Sequence, residues 1–146
     1  MRFLTRSHHL PVRLAVGAYV LNSGLSKKNA DEETAAGVHG MAAGAYPFFK
    51  NMDPAVFTRL LSRAEIALGT ALLLPFVPSA LAGAALTAFS AGLVGLYLRT
   101  PGMRQEGGLR PTVEGTGLAK DVWLLGIGIG LLIEELAGKD RSRKDG

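Results

Sequence analysis

The stretch from Ile66 to Leu98, IALGTALLLPFVPSALAGAALTAFSAGLVGLYL, runs for 33 residues without a charge. No other feature constrains the fold as much. A single bilayer crossing needs about 20 apolar residues, so the stretch is too long for one span. Pro75 and Pro78 divide it near the middle. The simplest reading is a tight hairpin, with one helix ending near Pro75 and the next running from about Ser79 to Tyr97. In hydrocarbon every backbone N–H and C=O must be satisfied within the protein, so both arms are predicted to be helical.

The remaining apolar residues also fall in blocks, which favours membrane spans over a soluble bundle. The 19 glycines fit that reading, because glycine is commoner in membrane helices than in soluble ones. There is no cysteine, which excludes disulfide catalysis, thiolate metal sites and iron–sulfur ligation by this chain. The net charge is +4. Its basic residues flank apolar segments, a pattern that points to anionic lipid rather than nucleic acid.

A short basic start with Arg2 and Arg6 precedes an apolar segment from Leu10 to Leu25. It resembles a signal peptide but offers no small-x-small cleavage site, so the reading is a retained first helix. Arg13 and Lys27 bracket it and are expected to snorkel to opposite interfaces. Arg13, Gly17, Gly24 and Lys27 share one side, and Tyr19, Asn22, Ser23 and Ser26 another. The first side suits close packing. The second wants interhelical hydrogen bonds or a ligand.

Residues 28–53 connect the first helix to the second. Asp31, Glu32 and Glu33 favour a helix start, and AAGVHGMAAGA is too short and glycine-rich to span. It reads as a short interfacial helix. Its His39 is a ligand, a proton carrier or neither. Tyr46, Phe48, Phe49 and Lys50 suit the headgroup level. Asp53-Pro54 pairs a preferred N-cap with a preferred first helical residue, so the second helix should run from Pro54 to about Leu74. Glu65 lies about 15 Å along that helix from Pro75 and needs a partner from another helix, with Lys27, Lys120 and Arg13 as candidates.

Gly83, Thr87, Ala91 and Gly95 form a small-residue row on the third helix. An irregular loop from Arg99 to Gly117 follows. The fourth helix is predicted over Leu118–Leu136, opening on Lys120 and Asp121 and carrying a GxxxG pair, Gly126 and Gly130, for packing. Residues 1–138 thus make one transmembrane domain, and 139–146 a charged, disordered tail. The fold class is all-α, an integral membrane four-helix bundle with an interfacial helix between the first two spans. Four crossings put both termini on one side. Basic residues number seven there against nine opposite, but the terminal ones are dense and unpaired, which selects cytoplasmic termini.

These features resemble the DoxX-like family of small four-helix membrane proteins. The first helix carries Arg13-Leu14-Ala15-x-Gly17 and Ser23-Gly24-Leu25-Ser26-Lys27, similar to the family's arginine, glycine and HGxxK ending. Ser23 stands where histidine is common, so no role of that histidine transfers. Glu65-x-x-x-Gly69-x-x-Leu72-Leu73 is similar to the family's glutamate and glycine, and Leu118-Ala119-Lys120-Asp121-x-x-Leu124-Leu125-Gly126 to its lysine-containing helix start. The likeness covers roughly residues 11–136. It implies a bacterial, multi-pass protein of the inner (plasma) membrane, in a family associated with sulfur-compound or quinone-linked redox complexes, oxidative-stress assemblies and chaperoning of membrane partners.

Two functions follow as expectations. One is an accessory or assembly subunit, with a protein partner in a membrane complex or a homo-oligomer. The other is a quinone-binding oxidoreductase component whose pocket lies near Asn22, Lys27, Glu65, Lys120 and Asp121. No catalytic constellation, metal site, phosphate loop or nucleic-acid surface is recognisable, and a non-catalytic subunit is favoured. A transporter is a weaker third reading, since only one glutamate lies deep.

Overall fold

The computed structural model describes residues 6–144. The chain is all-helical there. A short 3-10 turn, Ser7–His9, leads into α1 (Leu10–Lys27). Next come α2 (Glu32–Ala45), α3 (Pro54–Leu73), α4 (Ser79–Arg99), α5 (Thr116–Ala119) and α6 (Asp121–Lys144). Helix starts follow local chemistry. The Asp31 side chain accepts from the Thr34 amide at 2.8 Å, and Asp53 from the Ala55 and Val56 amides at 2.9 and 3.3 Å. Each satisfies N–H groups that a helix leaves unpaired. The Thr34 hydrogen bond also holds the Asp31 carboxyl below its ordinary range.

Among the described residues, two segments are long and apolar enough to cross a membrane, Ser79–Arg99 with 21 residues and Thr116–Gly138 with 23. α1 and α3 are long but carry more polar and charged residues.

The long helices pack as two close pairs, α1 with α3 and α4 with α6. Glycine makes each approach possible. A methyl group on Gly69 would stand 2.5 Å from the Leu21 amide nitrogen, and one on Gly24 would stand 2.8 Å from the Ile66 nitrogen. Across the other pair, a methyl on Gly128 would stand 2.8 Å from the Thr87 nitrogen. Val20, Leu68, Leu72, Ala82, Leu86 and Leu131 join the pairs in one apolar core. Gly126 and Gly130 have open space at their Cβ positions. The GxxxG motif therefore faces outward, and the glycine between its two members makes the packing contact. Two residues turn an α-helix by about 200°, which puts Gly128 on the opposite face. Gly69→Ala is expected to cost about 2–3 kcal/mol through forced separation of α1 and α3. Gly130→Ala should cost nothing or stabilise slightly through helix propensity. Thermal melts in detergent compare the two.

Two other segments depart from the sequence reading. The fourth helix is interrupted at Lys120, so α5 and α6 replace one element beginning at Leu118. α6 then continues to Lys144, through residues expected to be disordered. The 100–115 loop is irregular, as its Pro and Gly content predicts, with an isolated antiparallel bridge between Arg104 and Pro111. Its turns place Gly102 and Gly107 at φ +85° and +76°, where glycine carries no Cβ penalty.

Arg13 is the largest departure. It does not snorkel; it is 1% exposed. Its Nε donates to the Leu72 carbonyl at 2.9 Å. One terminal nitrogen donates to the Val77 carbonyl and Ser79 Oγ at 2.8 and 3.0 Å, the other to the Ala71 and Leu74 carbonyls at 2.8 and 3.0 Å. α3 ends with carbonyls that have no helical partner, and its dipole places partial negative charge there. The five-donor guanidinium fits that end and fixes the turn into α4.

Candidate functional site

Away from the Arg13 end, α1, α2, α3, α4 and α6 surround a cavity of about 1020 Å³. Its walls are mostly apolar. Phe48 and Phe49 reach it from the connection after α2, Phe57 and Leu61 from α3, Phe89 and Leu93 from α4, and Leu124 from α6. The aromatic side is locked by edge and tilted contacts, with ring centroids 4.4 Å apart for Phe48 and Phe49 and 4.9 Å for Phe49 and Phe57. His39 Nε2 donates to the Phe49 carbonyl at 2.7 Å, and its ring packs edge-on to Phe57. His39 therefore holds the aromatic wall in place. Tyr46 ties that wall to α4, donating to the Gly92 carbonyl at 2.8 Å beneath the Arg99 guanidinium.

One part of the wall is polar. Lys27 Nζ lies 3.0 and 3.3 Å from the two Glu65 carboxylate oxygens. It also donates to Ser23 Oγ at 2.7 Å and approaches the Ser23 carbonyl at 3.3 Å. An ammonium has three protons, so these partners use all of them. Asp121, at the start of α6, lines the same cavity and is 6% exposed. It lies within electrostatic range of Lys120, Glu65 and Lys27. Among the described residues, nothing donates a hydrogen bond to its carboxylate. No fully buried side-chain oxygen among the described residues lacks a partner, so the Asp121 carboxylate opens onto the cavity as a polar group.

The structure thus brings together Lys27, Glu65 and Asp121 from the five residues expected to form a pocket. The other two lie elsewhere. Asn22 is exposed on the outer side of α1. Lys120 is exposed too, its ammonium 4.8 Å from the centre of the Tyr19 ring. Ser23 and Tyr19, noted in the sequence only as members of a polar helix side, line the cavity. The aromatic wall had a sequence signal, the Tyr46–Phe49 cluster, but a membrane interface explained it equally well.

With this geometry, the cavity can enclose an apolar molecule and hold a polar head at Asp121. Comparison with protein-family models, curated proteins and solved structures finds no match for this chain.

Proposed function

We infer that this chain is a multi-pass inner-membrane protein that holds an amphipathic ligand of the quinone class, as a non-catalytic subunit of a larger membrane complex. In this reading α1, α3, α4 and α6 form the transmembrane bundle, α2 lies at the bilayer surface, and both termini are cytoplasmic. Support for membrane residence comes from two span-length apolar helices and from large apolar side chains on the outside, among them Leu14, Leu60, Phe76, Leu81, Trp123 and Ile133. Exposed apolar surface on this scale marks contact with lipid or a partner. The DoxX-like motifs in order along the chain support the same architecture. The outward-facing Gly126 and Gly130 offer a partner helix close approach.

The observation that carries the ligand reading is the apolar cavity with one open acceptor, Asp121. A quinone carbonyl needs a donor, and the Lys27 protons are already engaged. The hydroxyl of the reduced form supplies a donor to Asp121. Asp121 therefore fits a quinol hydroxyl, the Tyr19 and Ser23 hydroxyls can serve the second oxygen, and the ring and tail lie against the Phe57 and Phe89 side of the cavity.

The test is anaerobic purification in mild detergent followed by mass spectrometry of copurifying lipids and proteins. Quinol is expected with the wild type. Retention by Asp121→Leu should fall at least tenfold, because a hydrogen bond to a charged group contributes about 1.5–3 kcal/mol. Quinol absent from the wild type, or retained equally by a folded Asp121→Leu protein, overturns the ligand reading. A stoichiometric protein without quinol leaves the accessory-subunit half standing alone.

A further inference from the structure

At the opposite end of the bundle lies a cluster to which the sequence reading gave no role. The 3-10 turn before α1 presents His8 and His9 toward the second half of α6. His8 Nε2 meets Glu134 Oε1, and His9 Nε2 is 2.8 Å from Glu134 Oε2. The three ligating atoms lie within 4.8 Å of one another. His9 is 3% exposed, whereas His8 is open to solvent and Glu134 partly so.

The surroundings of His9 matter most. Its Nδ1 is 3.0 Å from Ser79 Oγ, and that oxygen accepts from Arg13 at 3.0 Å. Arginine can only donate, so Ser79 Oγ accepts from it, and the same hydroxyl holds His9 Nδ1. An imidazole whose far nitrogen is held by a polar partner, leaving Nε2 to face a ligand, is the usual arrangement of a metal-ligating histidine.

We propose that His8, His9 and Glu134 bind a divalent transition-metal ion of the zinc class, linking the turn before α1 to the second half of α6. Two imidazoles and a carboxylate are a borderline N/O donor set that suits zinc, cobalt and nickel better than magnesium or calcium. Three protein ligands leave a further position for water or a partner's side chain. Two further charged groups among the described residues lie beside the site. Arg6 lies 3.8 Å from Glu134 and 3.4 Å from Glu135, so it has Glu135 as a counter-charge when Glu134 turns to a metal. Glu135 is 3.8 Å from His9 Nδ1, on the side away from the proposed ion. The site is independent of the cavity and its ligand.

The experiment uses the full chain in detergent, carrying an affinity tag without histidine and stripped with chelator. Zinc is titrated in competition with a chromophoric chelator, and cobalt is followed by visible absorption. The chain has three histidines, and His39 is committed to Phe49, so a single equivalent identifies this cluster. One zinc per chain is expected, with a cobalt spectrum and a zinc-dependent rise in melting temperature. His8→Ala and Glu134→Gln replace solvent-accessible side chains, so both proteins should fold, and each should bind zinc at least tenfold more weakly and lose the cobalt absorption. Less than half an equivalent bound by the wild type overturns the proposal. So does binding that neither variant weakens.

Discussion

Arg13→Ala is expected to abolish the folded bundle, with no cooperative melt in detergent and loss of protein on gel filtration. The side chain makes five hydrogen bonds, four of them to carbonyls at the α3 terminus and the turn after it. Each hydrogen bond from a charged donor contributes about 1.5–3 kcal/mol, and a buried acceptor left unpaired carries its own desolvation cost. Even with strong non-additivity the loss reaches the whole stability of an ordinary domain, about 5–15 kcal/mol. Arg13→Lys restores the charge but only three donors on one atom, which cannot reach acceptors spread over the turn. It should therefore melt far below the wild type. If Arg13→Lys melts within a few degrees of the wild type, charge near the α3 dipole suffices and the fork geometry is incidental.

This arginine shows what the sequence could and could not reveal. Local chemistry was legible. Asp53-Pro54 marked the start of α3, Pro75 and Pro78 marked the turn before α4, and the side shared by Arg13, Gly17 and Gly24 is the buried side of α1. Position relative to other helices was not legible. Arg13 stands near the start of an apolar segment, which is where a snorkelling residue would stand. Its acceptors lie 58 to 66 residues away. Gly126, Gly128 and Gly130 offer two opposite faces, and only the location of α4 decides which one packs. His8 and His9 meet Glu134 across 126 and 125 residues, a closure that no spacing pattern encodes.

The candidate site divides the same way. A glutamate deep within a helix of the bundle demanded a partner on energetic grounds alone, and Glu65 has one in Lys27. That argument could not choose among Lys27, Lys120 and Arg13. Asp121 was expected beside the pocket at the start of the fourth helix. The Asp121 carboxylate lines the cavity at the first residue of α6, just after the break at Lys120. Helical spacing grouped Asn22 with Tyr19, Ser23 and Ser26, but Asn22 lies at the exposed edge of that side while Ser23, 100° away, reaches the cavity.

Lys27→Met is expected to destabilise the bundle by about 3 kcal/mol or more, because it leaves the Glu65 carboxylate buried without its counter-charge. The two side chains are unequally buried, Lys27 at 21% exposure and Glu65 at 5%. Glu65→Gln should therefore cost less, about 1–2 kcal/mol, since Lys27 keeps Ser23 as an acceptor and some access to solvent. The double variant Lys27→Met with Glu65→Leu removes both charges and fills the space with apolar atoms. Buried pairs replaced in this way are often neutral or stabilising, so its melting temperature should return to that of the wild type. This cycle separates two roles for the pair. If the double variant melts like the wild type and still copurifies with quinol, the ion pair is structural and Asp121 alone anchors the head. If it melts like the wild type but has lost the ligand, the charges at Lys27 and Glu65 set the field in which Asp121 accepts its hydrogen bond. A double variant as unstable as Lys27→Met would show that the site cannot be repacked with apolar side chains, and that the pair is required by the shape of the α1–α3 contact.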